Sequence, residues 1–476
     1  MREVTDVEIY DRLAFDNPWW EENGGVDGVY IDYPRRTYFD PFQNLVTQSE
    51  VNRAIILFGP RRVGKTVMVY HTIHELLEQG VPGENILYLS LDTPIYTGIS
   101  LNTFIQLFQS RFSHSRKAQL YIFFDEIQYL REWEVHLKSL VDSFKAYRFI
   151  ATGSAAAALR LKSTESGAGR FTEFMLPSLT FAEYLRFIER EVELLHPAAD
   201  RTSRYWTDDI QALNKEFINY LNFGGFPEAV FSPAIQADSA RYIKSDIIDK
   251  VLLRDLPSLY GISDIQELNR LFTTLAYNTG EEVGLEGLSQ SSGVAKNTLK
   301  RYIEYLEAAF LIRRVRRIDG HAKHFKRLVT FKVYLTNPSM WAALFGPVHD
   351  KHGAMGALTE TAIWAQWFHQ QNFITNLHYA RWPRGEVDIV GLFSSGGEKN
   401  ILAVEIKWSD RPATHSGEIK GLVSFAQANQ LMHGPLVTTK TVSGDRTVEG
   451  VTVRFQPSSI YCYTVGKNLL GRMDWL

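Results

Sequence analysis

An α/β chain built from more than one domain is predicted, and three observations predict it. Up to about residue 175, short apolar runs alternate with stretches of helical spacing, the pattern of a parallel sheet with helices on both faces. A second series of strand-like runs begins after Gly353 and calls for a separate mixed sheet. The chain has 476 residues and 45% hydrophobic content, too long for one core, so roughly two to four domains are expected.

Composition narrows the function classes. The formal net charge is −3, so attraction to nucleic acid or to a membrane must come from local patches. The single cysteine, Cys462, excludes an intramolecular disulfide and a cysteine-based zinc site, and it fits a reducing cytoplasm. The opening "MREVTDVEIYDRLAFDNPWW" carries acidic residues and no apolar core, unlike a signal peptide. No apolar run approaches the ~20 residues of a membrane span. A cytoplasmic protein without membrane contact is expected.

Residues 1–50 read as a lead-in with a turn-rich "NPWWEENGG" and with Arg35 and Arg36 among aromatics. It is either a packing arm or a cover over a bound base. Residues 51–175 hold the buried strands "RAIILFG", "NILYLSLD", "LYIFFD" and "YRFIATG", separated by helices such as "VMVYHTIHELLEQG". After about residue 175 the strands stop, and 176–264 read as a helical subdomain. Residues 265–345 read as helix, tight turn at Ser292-Gly293, second helix and a strand "FKVYLTN". Residues 350–476 open with a helix, "GALTETAIWAQWFHQQ". Strands "NLHYARW", "EVDIVGLF", "NILAVEIKW" and "GPLVTT" follow, with a helix before the last.

Gly59-Pro60-Arg61-Arg62-Val63-Gly64-Lys65-Thr66 matches G-x-x-x-x-G-K-[ST] in full, between a buried strand and a helix. Glycines let the loop curl its N–H groups toward phosphate oxygens, and the helix adds its positive N-terminus. Lys65 is expected on the β and γ phosphates of ATP, and Thr66 on Mg²⁺. Asp125 ends the apolar strand "LYIFFD", where a carboxylate can hold the Mg²⁺ shell, and Glu126 can polarise the attacking water. Thr152 or Ser154, in "ATGSAA", would orient that water, unless the serine is a helix cap. Arg170 in "ESGAGRF" is the candidate arginine finger, within the chain or across a subunit interface, and Arg254 is the second choice.

Together "GPRRVGKT", "FFDEIQYL", "ATGSAAAAL", "GAGRF", "LPSLTFAEYL" and "GGFPEAV" resemble a family of prokaryotic AAA-type ATPases. In that family the ATPase module is followed by helices, a winged-helix segment and a C-terminal domain. The resemblance covers roughly residues 50–450. It implies the roles just given for Lys65, Thr66, Asp125, Glu126 and Arg170, and leaves the lead-in unexplained. ATPase domains with fingers acting in trans assemble, so a homo-oligomer is expected.

"LEGLSQSSGVAKNTLKRYIEYLEAAFLIRRVRRI" has the order of a winged helix–turn–helix. Leu285, Leu288, Val294, Leu299, Tyr302 and Leu306 would form its core, and Lys296, Asn297, Lys300 and Arg301 would face outward. The basic "RRVRRIDGHAKHFKR" that follows could neutralise several phosphates, so DNA is the expected partner; the alternative is an interdomain spacer.

In the last segment Asp388 lies in "RGEVDIVG", and "AVEIKW" brings Glu405 and Lys407. A turn between them, with Gly396-Gly397 near its tip, would make their strands antiparallel neighbours. Strand alternation puts Glu405 and Lys407 on one face, with Asp388 opposite and Glu360 on the preceding helix close by. Carboxylates so placed suit Mg²⁺ or Mn²⁺, and the lysine suits a phosphodiester under attack. The order resembles the PD-(D/E)XK nuclease fold, with Glu360, Asp388 and Glu405 as metal ligands, Asp388, Glu405 and Lys407 as the catalytic set, and Val-Asp in place of Pro-Asp. The full reading is an α/β chain with three parts: a P-loop ATPase domain with a parallel sheet, a helical and winged-helix middle, and a C-terminal mixed-sheet domain like a restriction endonuclease. A regulatory ATPase carrying an inactive nuclease fold is the alternative.

Overall fold

Five parallel strands form the sheet of the N-terminal unit: β1 (Ala54–Phe58), β2 (Ile86–Ser90), β3 (Tyr121–Asp125), β4 (Arg148–Gly153) and β5 (Phe171–Met175). Their order is β2-β3-β4-β1-β5. The computed structural model describes residues 5–48, 51–153, 169–198, 201–325, 330–369, 373–395, 398–431 and 433–468, in two compact units, Met1–Pro177 and Ser178–Leu476. β1, β3 and β4 are buried throughout, as their apolar runs predict. β5 escapes the sequence pattern because it is an edge strand, "FTEFM", of which only Phe171 is buried. Helices α1 (Lys65–Glu78), α2 (Leu101–Phe112) and α3 (Trp133–Ser143) alternate with the strands. The order places β4 between β1 and β3, so the ends of all three face one another.

The lead-in closes the other edge of this sheet. β2 pairs with β3 on one side and leaves its outer N–H and C=O groups unpaired, a hazard that folded proteins cover. The Asn17 carboxamide takes the place of a neighbouring strand: its Oδ1 accepts from the Tyr88 N–H at 2.6 Å and its Nδ2 donates to the Tyr88 carbonyl at 2.7 Å. The Trp19 and Trp20 indoles both donate to the Ile86 carbonyl, at 3.1 and 2.8 Å. Arg148, at the start of β4, binds three backbone carbonyls: those of Leu45 and Val46 in the lead-in and that of Val51 just after it.

The C-terminal unit corrects the expectation that strands stop after residue 175. β6 (His196–Ala198) and β7 (Arg201–Trp206) form an antiparallel hairpin. It is short, contains a proline and a register shift, and so shows no clean alternation. Helix α4 (Ile210–Phe223) and further helices follow, and α5 (Ile265–Tyr277) leads into a nine-stranded sheet of order β15-β16-β14-β13-β12-β11-β9-β10-β8. Its strands are β8 (Glu282–Gly284), β9 (Ile312–Ile318), β10 (Thr330–Leu335), β11 (Leu377–Trp382), β12 (Gly385–Ser395), β13 (Glu398–Glu405), β14 (His433–Thr439), β15 (Gly444–Val448) and β16 (Val451–Pro457). Between β8 and β9 stand α6 (Leu285–Ser292) and α7 (Lys296–Ala308). α8 (Met355–Trp367), α9 (Lys420–Ala428) and α10 (Ser458–Lys467) complete the unit.

The separation expected between 265–345 and 350–476 therefore falls inside one continuous sheet. β9 and β11 pair in parallel, His378 against Arg316 and Ala380 against Ile318. β9 is the basic run "IRRVRRI", whose Ile312, Val315 and Ile318 are buried while its arginines lie at the sides. Its charge hides its strand character. On the sheet, Leu422, Val423, Phe425 and Ala426 of α9 pack in one core with Val387, Val390, Ala403, Val437 and Val453. Gly396-Gly397 lie outside the described residues.

Asn17→Leu is expected to lower the stability of the N-terminal unit by about 3 kcal/mol, because two buried backbone groups of Tyr88 lose their partners. A fall in the urea midpoint of the full chain checks this; an unchanged midpoint would show that the edge needs no cover.

Candidate functional site

The phosphate loop leaves β1 at Gly59, whose backbone passes so close to the next strand end that a Cβ would lie 2.0 Å from the Leu176 carbonyl oxygen. Gly64, at φ 91°, caps α1 in the left-handed region and turns the chain into the helix. Arg36 of the lead-in is buried and donates to the carbonyls of Val63 (2.7 Å) and Pro177 (3.0 Å), fixing the loop from behind. Arg35 pairs instead with Glu75 at 2.8 Å and stacks on Phe39. The Lys65 ammonium sits within the loop, donating to the Pro60 carbonyl at 2.8 Å and that of Gly59 at 3.2 Å.

Asp125 is the hub of this site. Its Oδ2 accepts from Thr66 Oγ1 at 2.8 Å and from Tyr88 OH at 3.0 Å, and its Oδ1 accepts from Thr152 Oγ1. Thr66 and the buried Asp125 thus meet at the mouth of the loop, a donor set of hydroxyl and carboxylate that fits a hard ion such as Mg²⁺. Glu126 lies next along in a left-handed backbone conformation, φ 53°, its N–H donating to Thr152 Oγ1 at 3.2 Å and its side chain accepting from Gln128. Of the two hydroxyls expected here, Thr152 is at the carboxylate, and Ser154 lies outside the described residues. Tyr88 escaped sequence reasoning. A tyrosine in an apolar run reads as core, and only the adjacency of β2 and β3 directs its hydroxyl to Asp125.

Arg170 is placed differently from the within-chain finger. It precedes β5 at the N-terminal edge of the sheet, where its carbonyl accepts from the Ala54 N–H, and its Nε pairs with Asp142 at 2.6 Å. From there β1 runs five residues, Ala54–Phe58, to the phosphate loop. That is about 16 Å at ~3.3 Å per residue, beyond an arginine's reach. Arg170 therefore does not reach the phosphate loop of its own chain. Arg254 is exposed on a helical stretch of the C-terminal unit.

A second cluster lies where β12 and β13 part. The antiparallel register pairs Ile389 with Val404, and one step further sets Asp388 across from Glu405. Asp388 Oδ2 accepts from the Ile406 N–H at 2.8 Å, and Lys407 Nζ pairs with Glu405 Oε1 at 2.6 Å. The Lys407 N–H is fixed by Thr438 Oγ1 at 2.9 Å. Glu405 Oε2 is buried without a hydrogen-bond partner. Lys332 on β10, absent from the sequence reading, contacts three carboxylates: Glu386 at 2.6 Å, Glu360 at 3.0 Å and Asp388 at 3.5 Å. Tyr334 OH also donates to Glu360. No three His, Cys, Asp or Glu side chains among the described residues form a group that could hold one metal ion. The three-carboxylate shell expected of Glu360, Asp388 and Glu405 is therefore not assembled, since Glu360 is turned to Lys332 and Tyr334.

Crowding shifts these groups. Burial, then the Asp388 charge, pushes the Glu405 carboxyl up to about 8 against the opposing Lys407. Burial and Asp388 likewise push Glu360 up to about 7, opposed by Lys332. Burial alone would lower both lysines, but their carboxylate neighbours hold them above the usual lysine value.

Lys296, Asn297, Lys300 and Arg301 are exposed on α7, over a core of Leu299, Tyr302, Ile303 and Leu306. The basic strand beside them is more engaged than its sequence suggests. Arg314 pairs with Glu307 at 2.5 Å, and Arg317 donates to the Arg381 carbonyl and lies 3.7 Å from Glu282. Arg316 is exposed.

The raised carboxyl values make a stability prediction. Between the usual 4.5 and about 7 to 8, the folded unit keeps protons that the unfolded chain has released. Stability therefore falls as pH rises through that window. Urea denaturation of the full chain in EDTA should show this loss from pH 5 to pH 8, with a shallower slope for Glu405→Gln. A wild-type stability that climbs over the same window would contradict the placement.

Comparison with known proteins bears mainly on the N-terminal unit. Residues 51–185 match the model of a family described as an AAA domain, and residues 214–350 that of a domain of unknown function, DUF8612. An uncharacterized protein of Haemophilus influenzae is 27% identical over 289 residues, 60% of this chain and 67% of its own length. An uncharacterized protein of Methanocaldococcus jannaschii is 23% identical over 360 residues, 74% of each chain. Among solved structures, the Aeropyrum pernix ORC2 protein in its ADPNP–ADP complexes aligns at TM-score 0.39 and 15% identity, over 69% of this chain and 96% of that one. Replication initiator DnaA bound to AMPPCP and single-stranded DNA aligns at 0.27 and 13%, over 59% and 92%. TM-scores this low carry no argument. Helices long and apolar enough to cross a membrane are absent among the described residues. The family match and the complete phosphate loop agree: the N-terminal unit carries a P-loop ATPase domain of the AAA type.

Proposed function

We propose that this chain hydrolyses ATP in its AAA-type domain and couples that cycle to a nuclease-like site, dependent on Mg²⁺ or Mn²⁺, that acts on DNA. The observation that carries the second half is the Asp388–Glu405–Lys407 set at one strand end, with a Glu405 oxygen buried and unpaired. That oxygen and the Asp388 carboxylate suit a hard divalent ion, since Mg²⁺ is commonly held by one or two carboxylates plus substrate phosphate. Such an ion supplies charge to polarise the scissile phosphodiester. Lys407, with its backbone pinned to Thr438, orients Glu405 and offers its ammonium to charge developing on the phosphate.

In the ATPase half, Lys65 binds the β and γ phosphates and Thr66 with Asp125 holds Mg²⁺. Glu126 polarises water from a backbone position fixed by Thr152, and Gln128 holds its carboxylate. Arg170 completes the site of a neighbouring copy, which makes the working form a homo-oligomer. α6 and α7 with strands β8–β10 serve as a winged helix, and Lys296, Asn297, Lys300 and Arg301 face the DNA backbone. A second reading, a regulatory ATPase with an inactive nuclease fold, is favoured by the missing three-carboxylate group among the described residues.

Plasmid degradation by the purified full chain with Mn²⁺, with and without ATP, separates the two. The proposal expects cleavage that Lys407→Ala abolishes while the ion still binds, because lysine is not a ligand. Intact DNA under every metal and nucleotide condition favours the regulatory reading. In the other half, Glu126→Gln is expected to keep ATP affinity and to slow hydrolysis by about 100-fold or more, the loss typical of a removed general base. A normal turnover rate would move that role to another residue.

A further inference from the structure

Lys332 is nearly fully buried, 4% exposed, and its strand was read as part of the segment before the nuclease-like domain. A lysine ammonium has three donors, and here three carboxylates surround it: Glu386, Glu360 and Asp388. The Tyr379 ring lies 5.4 Å from the same nitrogen. Burying an ammonium is tolerated only when it is paired on this scale. Glu360 Oε1 accepts from both Lys332 and Tyr334, so that oxygen is committed to the lysine. Glu405 Oε2, by contrast, is buried and has no hydrogen-bond partner.

We infer that Lys332 is a fixed internal cation of the cluster: its ammonium stands where a second divalent ion would otherwise be held, so the site takes one ion, at Asp388 and Glu405. Glu360 and Glu386 hold the lysine and not the metal. This rests on the nuclease-like reading of Asp388 and Glu405. Glu386 is also paired with the Arg381 guanidinium at 3.6 Å, and Glu360 also accepts from Tyr334, whereas Glu405 Oε2 has no hydrogen-bond partner. The cation comes from β10, the second strand after the α6–α7 helix pair, so the composition of the site depends on that strand staying docked. Lys332 is thus a positioning residue: it sets how many ions bind and where.

The test is Mn²⁺ binding to the full chain without nucleotide, by calorimetry and by electron paramagnetic resonance, which detects coupling between paired ions. Wild type is expected to bind one uncoupled ion, and Lys332→Met two, with a coupled spectrum. Glu360→Gln and Glu386→Gln should each still bind one ion, weakened by no more than the ~10- to 100-fold typical of outer partners. Asp388→Asn should bind none. One ion in Lys332→Met, with wild-type affinity, overturns the proposal. So does loss of the ion in Glu360→Gln or Glu386→Gln, which decides the matter even where Lys332→Met does not fold. A folded wild type that binds no Mn²⁺ removes the nuclease-like reading itself, a result distinct from either of these.

Discussion

Carboxylates held at the ends of buried strands are the constraint from which the rest follows. A charge taken out of water must be paired or hydrogen-bonded, or it loses its charge. In the C-terminal unit this requirement ties together elements far apart in the chain. Glu360 on α8, Glu386 and Asp388 on β12, and Lys332 on β10 meet at one ammonium, while Lys407 answers Glu405. The nine-stranded sheet is the scaffold that makes the meeting possible, because β9 and β11 bridge the strands of the helix pair to those that carry Asp388 and Glu405.

The N-terminal unit meets the same constraint with neutral partners. Asp125 receives three hydroxyls, from Thr66, Tyr88 and Thr152, each carried by a different neighbour in the sheet or by the helix after the loop. Hydroxyls stabilise the carboxylate without cancelling its charge, which leaves it suited to a cation's shell. A lysine in that place would have cancelled it. The contrast with Lys332 separates a site built around a nucleotide-bound ion from one that carries a cation of its own.

The phosphate loop, Asp125 and Glu126 were legible because their chemistry is local: eight consecutive residues and a strand end define them. Asp388, Glu405 and Lys407 were legible as well, since alternation on two neighbouring strands is a sequence property. Tyr88 and Lys332 were not. Each lies in an apolar run that reads as core, and each reaches its carboxylate only through a strand order that composition does not encode. The basic run 312–318 shows a limit of another kind. Its charge gives no sign of the partners that the fold supplies: Arg314 pairs with Glu307 of α7 and Arg317 lies against Glu282 of β8.

Short-range physics was in the sequence: which runs are buried strands, where the loop curls, and which carboxylates end strands. The tertiary structure alone decided what depends on distant segments coming together. It assigned the lead-in to the open edge of β2 through Asn17, joined two expected domains into one sheet, and set Arg170 at the far end of its strand from the loop. The physical reason is that strand edges and buried charges are satisfied by whichever partner the fold brings within hydrogen-bond range. That partner is chosen by topology, which no local pattern of residues specifies.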